Sequence, residues 1–328
     1  MSFLNQIDFA NHDGVNRAMI NDFMRNQFYN NIFTGNVKDQ HCIDIGFGTG
    51  LLSVLALKHG ARSIVAYESD DARYELGQLI IDRLNLSNRI QLIHDRFDHS
   101  MLDQHPNATV AFSETVNGNL WQEGLFNSLQ RNRKINFLPG QYFLEIYACV
   151  VPDSFAQGLI APKVHTGFNP GIDIDPAFVN LVNELGFSGH VVEPLSPVTA
   201  MHSLDIGIDT EWGWIPYLRL CVNNGVLVNG YCLDANSVSV QYVDGTMAPV
   251  DFEQTHIQLQ IDTQSWQHQS VILVPRVGMR HGSCQMMLDT GHWGPTLDPI
   301  ILVRPLKNVT ITHNFLSGII AYTSASDC

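Results

Sequence analysis

Between Cys42 and Asp70 the hydrophobic pattern changes period. Cys42-Ile43-Asp44-Ile45 is a short apolar run rich in β-branched residues and predicts a buried strand. From Leu51 the apolar positions fall at 51, 52, 54, 55 and 57, a helical spacing that Gly60 stops. Ser63 to Tyr67 predicts a second strand, with Glu68 at its C-terminal edge. Downstream, Asp71 to Leu84 predicts a helix, Ile90 to His94 a third strand and Thr109 to Phe112 a fourth. Alternation of this kind is that of an α/β fold with a doubly wound, Rossmann-like sheet, in which ligands sit at the carboxyl ends of the strands. Upstream, Asn16 to Phe33 has a helical pattern. Met19, Asp22, Arg25 and Tyr29 lie at steps of three, three and four, which is one stripe of a helix.

Phe137-Leu138-Pro139-Gly140 breaks the pattern. Beyond it come short strand-like runs separated by turn residues: QYFLEIYACVV, VSVQYV, HIQLQI, SVILV, IILV and FLSGIIAY. The second half is therefore expected to be mostly β, a sandwich or barrel. Within it, Thr166 to Val198 carries Pro170, a helical DPAFVNLVNELG, Pro194 and Pro197, and reads as an insertion projecting from the β structure. Two domains follow, residues 1–139 and 140–328, with an arm at about 166–198.

Composition narrows the function classes. With 45% hydrophobic residues in 328, each half can bury a core. A formal charge of -14 argues against a nucleic-acid backbone as partner and is compatible with a cationic substrate. No apolar run is long enough to span a membrane, and the N-terminus lacks a basic region followed by an apolar one. The six cysteines have no C-x-x-C or metal-ligand spacing, and none of the fourteen histidines falls in a metal pattern. A soluble cytoplasmic protein with reduced thiols and no metal is expected.

The candidate chemistry gathers at the predicted strand ends. Gly46, Gly48 and Gly50 permit a sharp turn at positive φ, and the helix opening at Leu51 aims its free N–H groups at whatever lies there. Glu68 is placed to accept hydrogen bonds from two ribose hydroxyls, so the stretch reads as a nucleoside site. A dinucleotide fold wants G-x-G-x-x-G, whereas the third glycine here comes one residue early. Asp44, a buried acid before the turn, suits the sulfonium and amino cations of S-adenosylmethionine better than the pyrophosphate of NAD. Asp98, just past the third strand, can accept from an adenine amino group. After the fourth strand, Glu114 and Glu123 flank a loop containing Gly118. Two such acids stay ionised together only with a cation between them, and a planar, always charged guanidinium matches that clamp. Near the C-terminus, Gly291-His292-Trp293-Gly294-Pro295-Thr296 is a loop with two residues that often contact ligands.

Taken together these signals resemble the protein arginine methyltransferase family over nearly the whole chain. Met19-x-x-Asp22-x-x-Arg25-x-x-x-Tyr29 is similar to that family's cofactor-clasping helix, which implies that Arg25 pairs with the methionyl carboxylate of the cofactor. DIGFGTGLLS and YESD resemble its cofactor motifs, and RFDH places Asp98 at its adenine-contacting acid. SETVNGNLWQE resembles its double-glutamate loop, and GHWGPT its Thr-His-Trp loop with Gly291 in place of threonine. The resemblance implies a pairing of His292 with Asp22, a substrate contact from Trp293, a β-barrel, and a homodimer made through the arm. The tyrosine-bearing pattern that covers the family's substrate pocket is replaced by Gln6-Ile7-Asp8-Phe9-Ala10, and the usual Trp-Met-Gly-Tyr of the acidic loop by Thr115-Val116-Asn117-Gly118. An arginine-containing peptide or protein, free arginine or another small guanidino compound is the substrate implied.

Overall fold

The fold is taken from a computed structural model that describes residues 19–20, 22–115, 135–150, 163–165, 172–185, 191–193, 226–237, 239–242, 245–249, 256–261, 271–282, 284–288, 300–302, 307–314 and 320–325. Its first half runs α1 (Phe23–Phe33), β1 (His41–Ile45), α2 (Leu51–Lys58), β2 (Ser63–Glu68), α3 (Asp71–Arg83), β3 (Ile90–His94), a 3-10 turn (His99–Gln104), β4 (Ala108–Ser113) and β5 (Asn136–Leu138). The strands form a five-stranded sheet in the order β3-β2-β1-β4-β5, and every pairing is parallel. The order reverses at β1, so β2 and β4 leave in opposite directions from its carboxyl end. A crevice opens at such a switch point.

The expected single helix over 16–33 is corrected. α1 begins at Phe23, and Asp22 stands before it in extended conformation (φ -78, ψ 95) with its side chain accepting from Arg25 N. A short acid that captures a free N–H at a helix start is a strong N-cap, and it interrupts the Met19 to Tyr29 stripe. Met19 and Ile20 are helical ahead of this break, tied to α1 by the Asn26 amide donating to the Ile20 carbonyl at 2.9 Å.

α2 is buried nearly all round, from Leu51 to Ala56. A helix without a polar face must be covered on both sides. Leu52, Leu55 and Ala56 join the main core between helices and sheet, while Leu51 and Val54 join a second cluster with Leu76 and Ile80 of α3. Phe47, from the glycine turn, fills the space beside α3. A Cβ on Gly77 would lie 2.8 Å from its ring and 2.6 Å from Leu92 Cδ2, so this helical position has room only for glycine.

The chain passes the cis Leu138-Pro139 bond into β6 (Gln141–Val150) and antiparallel structure. Next come β7 (Lys163–His165), α4 (Pro176–Glu184), β8 (Val191–Glu193), β9 (Val226–Asp234), β10 (Ser239–Tyr242) and β11 (Met247–Pro249). The rest is β12 (His256–Ile261), β13 (Val271–His281), β14 (Cys284–Leu288), β15 (Ile300–Leu302), β16 (Lys307–Asn314) and β17 (Ile320–Ala325). One sheet is ordered β11-β10-β9-β6-β13-β14 with β15 on β13, and another β12-β16-β17. Among the described residues these sheets do not close into the expected barrel. The pattern did not announce β9, whose Asn229-Gly230 reads as a turn, yet β9 pairs with β6 along most of its length. Tyr142, Leu144, Tyr231, Leu233 and Met279 share the main core with the parallel half. No described helix is long and apolar enough to cross a membrane.

Replacing Gly77 with Val is expected to lower stability by about 1–3 kcal/mol through overpacking against Phe47 and Leu92. Urea denaturation checks it, with a lower midpoint at an unchanged slope.

Candidate functional site

Register brings the candidate residues together. Asp44 pairs laterally with Ala66 of β2 and Phe112 of β4, and Ile45 with Ser113, so Glu68 and Glu114 emerge on either side of the glycine turn. The turn is built from the three glycines at φ 85, 54 and 73. Two of them are also crowded. A Cβ on Gly46 would lie 2.4 Å from Thr115 Cγ2, and one on Gly50 would lie 2.5 Å from the Phe47 ring. Thr115 was missed by the sequence reading as a site element, yet it seats the start of the acidic loop on the turn. Ser113 fixes that junction: its Oγ donates to the Ile45 carbonyl at 2.6 Å and accepts from Thr115 N at 3.1 Å.

Glu68 is buried and organises the turn. Its Oε2 accepts from Gly48 N at 2.9 Å, and its Oε1 from Ser69 N at 2.9 Å and Asp70 N at 3.0 Å. A carboxylate has about four acceptor positions, so one remains. Asp44 is 1% exposed. Its Oδ2 accepts from Ser53 Oγ of α2 at 2.6 Å, and its Oδ1 is buried with no partner among the described residues. Burial pushes its pKa up to about 7, Ser53 pulls it down and the Glu68 carboxylate adds to the rise. A buried acid with one oxygen unmatched is a seat for a cation or a strong N–H donor, because an unpaired buried acceptor is costly to keep.

On the opposite side of the turn, Arg25 NH2 donates to Glu114 Oε2 at 2.7 Å, both side chains being about 5% exposed or less. NH1 donates to the Met19 carbonyl at 3.3 Å and to Asn26 Oδ1 at 3.2 Å, and the guanidinium lies 5.8 Å from the Tyr29 ring centroid. Burial works against the Arg25 charge, but the neighbouring Glu114 outweighs it and raises the pKa. Tyr29 in turn donates to the Ser113 carbonyl at 2.7 Å, so α1 is bolted to the end of β4. Arg25, Asp22, Met19 and Glu114 thus form one connected group.

Asp98 stands apart from it. Its exposed side chain caps the 3-10 turn, accepting from Ser100 N at 2.8 Å. Glu123, His292 and Trp293 lie outside the described residues, as does the proposed pairing of His292 with Asp22. No cluster that could hold a metal occurs among the described residues.

A parallel sheet with a glycine turn after β1 and an acid ending β2 defines a Rossmann-like nucleoside-binding fold. No family model matches the chain. It is similar to protein arginine N-methyltransferase 9 of Xenopus laevis, 27% identical over 171 residues, which are 50% of this chain and 20% of that protein. It is also similar to protein arginine N-methyltransferase 7 of Aedes aegypti, 28% identical over 132 residues, 38% of this chain and 18% of that one. The chain spans between 10% and 20% of the length of the first curated relatives it matches. Among solved structures, the crystal structure of PRMT6-SAH superposes with a TM-score of 0.57 at 16% identity, covering 95% of this chain and 100% of that one. In sequence over half the chain, and in fold over nearly all of it, the resemblance is to the protein arginine N-methyltransferases.

The raised Asp44 pKa has a sign. Between its ordinary 3.8 and about 7 the folded chain holds a proton that the unfolded chain has released, so this group's contribution to stability falls as pH rises through that window. Chemical denaturation across pH 4 to 7 is expected to show wild type losing stability relative to Asp44→Asn, by on the order of a few kcal/mol.

Proposed function

We propose that the protein is an S-adenosylmethionine-dependent N-methyltransferase acting on a guanidino nitrogen of arginine, in a peptide or protein or as a small guanidino compound. The observation that carries the acceptor half is the buried Glu114 carboxylate with a guanidinium on it at 2.7 Å, at the carboxyl end of β4. The chemistry of that oxygen is matched to the group it would have to orient. The cofactor half rests on the unpartnered Asp44 Oδ1, the positive-φ turn and Glu68.

When bound, the cofactor supplies an electrophilic methyl group on a sulfonium. Catalysis in such a site comes from positioning and electrostatics. Asp44 would take the cationic end of the donor, Glu68 the ribose hydroxyls through its remaining acceptor position, Asp98 the adenine amino group, and Arg25 the methionyl carboxylate from its place beside Glu114. Gly46, Gly48 and Gly50 let the backbone approach. Glu114 and Glu123 would hold the substrate guanidinium and draw its charge away from the attacking nitrogen. The proton that nitrogen loses would pass to Glu123 or to His292 with Asp22. Trp293 would line the acceptor pocket. The domain division at 139/140, which rests on the pattern break at Phe137-Leu138-Pro139-Gly140, and a cytoplasmic location, which rests on the cysteine pattern, belong to the same reading, as do closure of the β half into a barrel and the homodimer, which rest on the family resemblance. PRMT6-SAH, whose fold this chain shares, carries S-adenosylhomocysteine by its name.

Glu114→Gln and Glu123→Gln are expected to keep S-adenosylhomocysteine binding by isothermal titration and to lose methyl transfer by about 100-fold or more, the scale of removing a preorganised electrostatic contact. Near-normal turnover in both would sink the clamp.

A further inference from the structure

Tyr67, the last apolar residue of β2, touches both loops that flank Glu68. Its carbonyl accepts from Gly46 N at 3.0 Å and from Phe47 N at 2.9 Å, which seats the glycine turn on the end of the strand. The buried ring meets Phe97 edge-on, with centroids 5.1 Å apart, and His105 in the same manner at 5.9 Å. Tyr67 Oη and His105 Nε2 share a hydrogen bond of 2.6 Å. Phe97 and His105 bracket the 3-10 turn. Phe97 directly precedes Asp98, which caps the turn, and His105 closes it by donating from its N–H to the Leu102 carbonyl at 3.0 Å. Burial lowers the His105 pKa and, with Asp95 beside it, raises that of Tyr67, so near neutral pH the bond joins two uncharged groups.

We propose that Tyr67 and His105 are positioning residues for nucleobase recognition, a tether that fixes the Asp98 turn relative to the glycine turn and Glu68 so that a purine with an exocyclic amino group meets an aligned acceptor. A 3-10 turn has poor hydrogen-bond geometry and little stability of its own. Phe97 and Leu102 anchor it by burial in the main core. That attraction is non-directional and tolerates sliding, whereas a hydrogen bond weakens steeply once its angle is lost. The phenol and the imidazole thus set where the turn sits, and the burial keeps it there. Leaving the Tyr67 hydroxyl in this core unmatched would be costly, and His105 matches it. The recognition role rests on the function proposed above, in which Asp98 takes the adenine amino group, whereas the tether does not.

Isothermal titration with S-adenosylhomocysteine and with S-inosylhomocysteine, which carries an oxygen where adenine carries its amino group, tests the recognition role. Wild type is expected to prefer the adenosyl compound. Tyr67→Phe keeps the ring and the carbonyl and deletes only the hydroxyl. It is expected to weaken S-adenosylhomocysteine binding by about tenfold, the scale of one hydrogen bond to a charged group, and to leave the inosyl compound unchanged. His105→Gln, whose side-chain amide reaches the position of Nε2, is expected to keep most of the preference. Equal affinities in wild type, equal weakening of both compounds in Tyr67→Phe, or an undiminished preference there would overturn the recognition role. Hydrogen exchange followed by mass spectrometry reads the tether without ligand. Tyr67→Phe is expected to exchange faster than wild type across residues 98–105, and unchanged exchange would overturn the tether. Wild type binding neither compound would refute the proposed function and the recognition role with it, and the exchange result would still decide the tether.

Discussion

The buried pair of Arg25 with Glu114 is the interaction on which the site depends. Neither charge can sit in a dry interior alone, and removing one partner from such a pair costs about 3–5 kcal/mol because the other is stranded. The pair joins α1 to the end of β4, and through its other contacts Arg25 holds the Met19 carbonyl. Tyr29 adds a second tie to β4 through the Ser113 carbonyl. The entry helix and the acidic strand end are thus one rigid body, built around a guanidinium.

Asp44 is the complementary case. It too is buried, but among the described residues it has no cationic contact at hydrogen-bond range, and one oxygen has no partner. Arg25 Nε, on the Glu114 side, is likewise buried without a partner among the described residues, so each wall of the site keeps one unmatched polar atom. The glycine turn between them is tightly made: a side chain on Gly46 or Gly50 would meet Thr115 or Phe47, and Glu68 accepts from Gly48 N.

Much of the parallel half was legible in the sequence because its central strands β1 and β4 are buried on both faces, and its strands read as short apolar runs between glycines and acids. β3 falls on Ile90–His94 as the pattern predicts, and α3 ends within a residue of its expected limit. What was not legible depends on distant residues. The partner of Arg25 lies 89 positions away, and nothing in either segment names the other. The contact of Thr115 with Gly46 is likewise set by strand register, not by local pattern. Asp22 appeared as one position of a stripe, although its short acceptor side chain favours a cap. β9 escaped because an Asn-Gly within a strand carries the signature of a turn.

The central claim is that this site places a methyl donor beside a guanidinium held by acids. The most direct measurement is mass spectrometry of arginine peptides, lysine peptides and free arginine after incubation with isotopically labelled S-adenosylmethionine. The account predicts label on a guanidino nitrogen of an arginine compound, abolished by Glu114→Gln. Label on lysine alone, or label on arginine that survives that substitution, would contradict it.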